Sequence, residues 1–119
     1  MYRILLLTIL TSHIRAEFST AVTATMKAID FEIYGRVQGV FFRKFTKQQA
    51  DKLGLRGWCK NTSQGTVLGH IQGPSEQIES MMQWLKTTGS PSSQIEKAEF
   101  RNQKDINEYN FTDFSIMRD

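Results

Sequence analysis

The chain has 119 residues, enough for one domain and too few for two. A hydrophobic fraction of 39% sustains a packed core and excludes a protein built on long apolar membrane spans, and a net charge of +3 with dispersed Lys and Arg favours small anions over nucleic acid. A single cysteine, Cys59, allows no intramolecular disulfide, and His13 and His70 are too few and too far apart to suggest a metal cluster.

Residues 1–26 read as an extension ahead of the domain. The apolar run Ile4 to Leu10 is too short to span a bilayer, and Ile14-Arg15-Ala16 makes a poor cleavage site. Secretory or mitochondrial targeting by this stretch stays open beside a dispensable extension, and the expected compartment is the cytoplasm. The domain is expected over residues 27–119, a size that folds alone with a modest stability margin.

Ala28 to Arg36 alternates Phe31 and Ile33 with Asp30, Glu32 and Tyr34, the period of a half-buried strand. Phe42 to Leu53 reads as a helix with Phe42, Phe45 and Leu53 inward, stopped by Gly54. Leu55 to Asn61 is a strand, Thr62 to Gly65 a turn, and Thr66 to Gln72 the returning strand. Pro74 opens a second helix carrying Ile78, Met81, Met82 and Leu85 at helical spacing, and Gly89 with Pro91 ends it. Ile95 to Arg101 is a strand, Gln103 to Asn110 a polar loop, and Phe111 to Met117 a last short strand with Phe114 and Ile116 facing in. This order predicts an α+β fold. It is a ferredoxin-like two-layer sandwich, an antiparallel sheet of four to five strands with both helices on one face.

The run Ile33-Tyr34-Gly35-Arg36-Val37-Gln38-Gly39-Val40-Phe41-Phe42-Arg43 passes from strand through two glycines to an arginine where the helical pattern starts. Glycines let backbone amides turn toward a ligand, and a helix N-terminus adds free N–H groups and partial positive charge. The segment can therefore cradle a phosphate-sized anion, with Arg43 as its fixed charge. It is not a P-loop, because no Gly-Lys-Ser/Thr follows. A purely structural turn is the bland alternative. Strand parity puts Leu55, Gly57, Cys59 and Asn61 on one side and Arg56, Trp58 and Lys60 on the other. The charged side should face solvent, which turns Asn61 toward the helix layer beside the glycine loop. Cys59 reads as a small buried hydrophobe, and His70, opposite Val67, Gly69 and Ile71, as surface.

Two segments together resemble the acylphosphatase family, of the common or muscle type. The first carries Gly35, Val37-Gln38-Gly39-Val40, Phe42 and Arg43. The second carries Gly57-Trp58-Cys59-Lys60-Asn61, Gly65, Val67 and Gly73. The resemblance runs from about Lys27 to the C-terminal strand. It implies the ferredoxin-like fold and metal-independent hydrolysis of the carboxyl–phosphate bond of small acyl phosphates, giving a carboxylate and inorganic phosphate. By this resemblance Arg43 binds the substrate phosphate, and Asn61 orients the attacking water. The backbone N–H groups of Gln38, Gly39, Val40, Phe41, Phe42 and Arg43 form the phosphate cradle. Gly35, Thr62 and Gly65 stand in support. Gln38 is either a ligand or a spacer of the loop. The resemblance implies no metal, no cofactor and no covalent phosphoenzyme. It also implies a monomer that takes inorganic phosphate as product and competitive ligand, without nucleic acid or stable membrane association. One departure is the ending Met117-Arg118-Asp119, where family members often close on an aromatic residue.

The chemistry suits so small a residue set. A carboxylate is a weak base and leaves without a general acid, so holding the phosphoryl oxygens and aiming one water suffices. Two rivals compete with an enzyme. A binding module of the same fold would keep the cradle without turnover, but it has no need of both Arg43 and Asn61. A nucleic-acid-binding domain would need paired exposed aromatics in a basic field, of which Tyr34 and Trp58 are a thin version.

Overall fold

The computed structural model describes residues 25–118. The N-terminal extension read from the sequence lies outside the described residues. Among the described residues seven elements follow one another: β1 (Met26–Arg36), α1 (Phe42–Lys52), β2 (Arg56–Asn61), β3 (Val67–Pro74), α2 (Ser75–Thr87), β4 (Gln94–Ile106) and β5 (Phe114–Ile116). The strands form one sheet in the order β4-β1-β3-β2-β5.

Alternation along the strands fixes the two faces. On β1, Ile29, Phe31 and Ile33 are buried. They stand opposite Ile71, Gly69 and Val67 of β3, which stand in turn beside Gly57, Cys59 and Asn61 of β2. Both helices cover this face, α1 over β2 and β5, α2 over β1, β3 and β4. Helix α1 buries Phe42, Thr46 and Ala50, four residues apart. Leu53 packs against the core as its spacing predicts, whereas Phe45 is only half-buried and outside the core. Thr46 takes the inward place because its hydroxyl donates to the Phe42 carbonyl at 2.8 Å and so enters the core already satisfied. Helix α2 buries Ile78, Met81 and Leu85 and packs Met82 at the margin.

The opposite face is polar. Glu32, Tyr34, Lys97, Glu99 and Arg101 form a charged cluster there, with Arg101 donating to Glu32 and Glu99 at 2.9 Å each. His70 lies on this face, as its parity predicts, but it is not free surface. Its Nδ1 is 2.6 Å from Asp30, its Nε2 2.9 Å from Gln72, and the Phe111 ring packs against its own at a tilt of 49°.

Two features differ from the pattern in the sequence. The polar stretch after Arg101 continues as strand to Ile106, because Met26 and Lys27 pair with Ile106 and Asp105. A bulge hides this continuation. Asn102 has φ 57°, the register shifts between Ala28 and Asp30, and the alternation loses its phase there. The sheet is also mixed rather than wholly antiparallel, since β5 pairs with β2 in parallel. Strand β4 ends at the edge of the sheet, level with the start of β1. The connection then crosses the polar face at that same end, where Asn110 bonds to Gln72 and Arg56 lies 3.8 Å over the Tyr109 ring. Arriving at the start of β2, the chain can only run alongside it.

Candidate active site

At the end of the sheet where β1 and β2 finish, a cavity of about 400 Å³ opens beside the N-terminus of α1. One wall is the loop between β1 and α1, through Val37, Gly39, Phe41 and Phe42. Gly35 begins this wall. With φ 122°, it passes so close to β4 that a Cβ would lie 2.1 Å from the Gln94 carbonyl oxygen. Only glycine lets the chain leave the sheet there. The loop then uses two left-handed residues, Gly39 at φ 75° and Phe41 at φ 61°. Phe41 is 72% exposed. For a phenylalanine this backbone is strained, which points to a loop shaped for its amides.

The amides support that view. Among the described residues, those of 38–44 donate to no backbone carbonyl and no side chain, and the first that does is Phe45, to the Phe41 carbonyl at 3.1 Å. The helix has no side-chain cap and no acid in its first turn, where Arg43 and Lys44 stand instead. Capping and the helix dipole both favour the reverse. A helix end arranged this way is suited to an anion from outside.

The facing wall is the end of β2. Asn61 lines the cavity, on the helix side that strand parity predicts. Its Oδ1 is buried and has no hydrogen-bond partner among the described residues. Buried acceptors are rarely left so, which marks this atom as directed at something in the cavity. The turn after Asn61 is tightly tied. Thr62 N–H donates to the Thr66 carbonyl at 2.9 Å, the two hydroxyls meet at 2.6 Å, and Gly65 N–H donates to the Thr62 carbonyl. The Gln38 side chain is engaged by this turn. Its Nε2 donates to the carbonyls of Thr62 and Thr66, at 2.9 Å each, clamping loop to turn with both of its hydrogens.

The cavity thus brings together Gly39, Phe41, Phe42, Arg43 and Asn61 of the residues singled out by sequence. Gly35, Gln38, Thr62 and Gly65 are not among the residues that line it, and the Val40 side chain packs against the core. Trp58 and Lys60 sit on the polar face, the ammonium 5.9 Å from the ring. Four features escaped the sequence. Lys44, Ile116 and Arg118 line the cavity, and Thr66 links the turn to Glu32 at 2.7 Å. The parity of Phe114 and Ile116 was the available signal for Arg118; nothing local pointed to Thr66.

Arg43, Lys44 and Arg118 make the cavity cationic, and among the described residues no carboxylate lines it. Cys59 lies just inside, fully buried. Burial pushes its thiol up to about 12, against the pull of Arg43, Arg118 and Lys47. It therefore offers no thiolate nucleophile near neutral pH. The arrangement can bind a compact anion, neutralise its charge and present one amide to a water.

Comparison with known proteins agrees with this chemistry. The acylphosphatase family model matches residues 29–116. Mouse (Mus musculus) acylphosphatase-2 is 51% identical over 96 residues, 81% of this chain and 91% of its own length. Mouse acylphosphatase-1 is 50% identical over 94 residues, 79% of this chain and 95% of its own. The crystal structure of acylphosphatase from Bacillus subtilis superposes with a TM-score of 0.71 at 33% identity, covering 77% of this chain and 99% of that one. Among the described residues no helix is long and apolar enough to cross a membrane. With its sequence matched over most of its length and its fold shared, this chain belongs to the acylphosphatase family, hydrolases of acyl phosphates.

Proposed function

We propose that the cavity hydrolyses small acyl phosphates without a metal, by in-line attack of one water on phosphorus. The amides of residues 38–43 and the Arg43 guanidinium hold the phosphoryl oxygens. Asn61 Oδ1 accepts a hydrogen bond from the water and turns a lone pair of that water toward phosphorus. The water oxygen–phosphorus bond forms as the carboxyl oxygen–phosphorus bond breaks. The carboxylate departs unprotonated, and the proton of the water passes to the phosphate product. Positioning and charge stabilisation supply most of such a reaction, worth up to about 7–11 kcal/mol for good alignment alone. Inorganic phosphate, sharing the oxygens of the substrate, is both product and competitive ligand.

The observation that carries this reading is Asn61 Oδ1, a buried acceptor without a partner among the described residues, in a cavity lined by Arg43, Lys44 and Arg118. Monomeric action in the cytoplasm, with neither nucleic acid nor a membrane as partner, completes the reading. The exposed edge strand β4 supports a monomer, since Glu96, Lys97, Arg101, Lys104 and Asp105 along it discourage pairing with another chain.

Acetyl phosphate and a sugar phosphate monoester distinguish this function directly. Purified protein should release phosphate from the first and leave the second almost untouched, because no described group lining the cavity is an acid suited to protonating an alkoxide. Excess chelator should leave the rate intact. Equal rates on both substrates, or a chelator loss restored by added metal, would overturn the reading.

A further inference from the structure

We infer that Arg118, supplied by the segment after β5, is a second guanidinium for the phosphoryl group, facing Arg43 across the cavity. The inference rests on the proposed acyl phosphate reaction and adds a residue to it.

Register carries the argument. β5 runs parallel to β2, with Phe114 beside Gly57 and Ile116 beside Cys59. The ladder goes on past the last residue of β5, because Met117 N–H donates to the Cys59 carbonyl at 2.8 Å. Two residues further along each strand, Arg118 comes level with Asn61. Side chains two apart share a face, so Arg118 follows Phe114 and Ile116 toward the helix side, where Asn61 also points. The cavity lining agrees, since Ile116, Arg118, Asn61 and Arg43 all border it. Arg43 comes from the first turn of α1 and Arg118 from the opposite wall. Both guanidinium charges act on the same buried thiol of Cys59.

Two arginines on opposite sides of one cavity suit a dianion better than a monoanion. A phosphoryl group near neutral pH carries close to two negative charges, and Arg43 balances one of them. Guanidinium adds planar, paired N–H donors that match phosphate oxygens. Lys44 is the other cation at the rim, but its ammonium lies 5.8 Å from the Phe41 ring. Arg118 is solvent-exposed, so its side chain contributes little to the core and can be replaced without opening a cavity.

The test uses the full chain, with acetyl phosphate as substrate and inorganic phosphate as competitive inhibitor. Arg118→Gln should raise the inhibition constant for phosphate about tenfold and lower kcat/KM by a similar factor, with the melting temperature unchanged. Arg118→Lys should regain much of both. An inhibition constant for Arg118→Gln within about twofold of wild type would overturn the inference. So would an equal loss in Arg118→Lys, which would mean that the segment acts through shape and not charge. Wild type inactive on acetyl phosphate would instead refute the underlying reaction. Active wild type with unaltered Arg118→Gln refutes the role of Arg118 alone.

Discussion

Arg43 and Asn61 face the same cavity but offer different chemistry, and substitution separates them. Arg43 is a charge fixed by the first turn of α1. Arg43→Gln should weaken phosphate inhibition and turnover together, by about 2–4 kcal/mol in transition-state stabilisation. Asn61 offers a neutral acceptor. Asn61→Ala should lower kcat by roughly a hundredfold or more while phosphate affinity stays near wild type, because a misaimed water slows the reaction without loosening the anion. Inhibition constants and kcat measured on both variants check the division. Equal losses of phosphate affinity would make Asn61 part of the cradle. Its removal should not cost the fold, since Oδ1 has no partner to lose among the described residues.

The site is braced by elements as well as by residues. Gln38 ties the β1–α1 loop to the β2–β3 turn, and Thr66 passes the connection to Glu32 on β1. Glu32 also accepts from Arg101 of β4 at 2.9 Å. The Thr66 hydrogen bond, followed by that from Arg101, holds the Glu32 carboxyl below its ordinary 4.5. In the unfolded chain this carboxyl picks up its proton first as pH falls. Its contribution is therefore present above the unfolded value and lost as pH drops through the lower folded value. Glu99, drawn down to about 2 by Lys97 and Arg101, acts with the same sign. Glu32→Gln should lower stability at neutral pH by about 1 kcal/mol. As pH falls through that ordinary value it should then lose less stability than wild type does. Denaturant melts at several pH values measure this; parallel pH profiles for the two proteins would remove Glu32 from the brace.

At the scale of the molecule, β1 is the central tie, paired with β3 on one side and β4 on the other. Its pairing begins at Met26, opposite Pro74 and Ile106. The core residues, the loop and both site residues all follow it. A chain starting at Met26 is therefore expected to melt within a few degrees of the full chain and to turn over acetyl phosphate at the same rate. Among the described residues, the one backbone hydrogen bond it loses is to the Thr25 carbonyl, which accepts from Ser75 N–H at the start of α2 at 3.3 Å, a weak bond at a helix end. A drop of more than about 5 °C, or a slower kcat, would make residues before Met26 part of the working domain.

What the sequence determined by itself was whatever short-range chemistry encodes. Alternation in β1 and β2 set which side chains enter the core and turned Asn61 toward the helices. Helical spacing located α1 and α2, and the glycines before Arg43 announced a loop able to expose its amides. Each is a matter of periods and backbone freedom within about a dozen residues, so it is legible without a partner. The tertiary structure decided what depends on distant pairing. Strand β4 runs on past Asn102 because Met26 and Lys27 are there to pair with it. Strand β5 is parallel because its connection crosses the polar face before reaching β2. Arg118 stands level with Asn61 only through that pairing, and Thr66 finds Glu32 only across the β1–β3 ladder. Hydrogen-bonded register between remote segments leaves little local trace, because its energy is shared by residues whose own patterns do not know their neighbours.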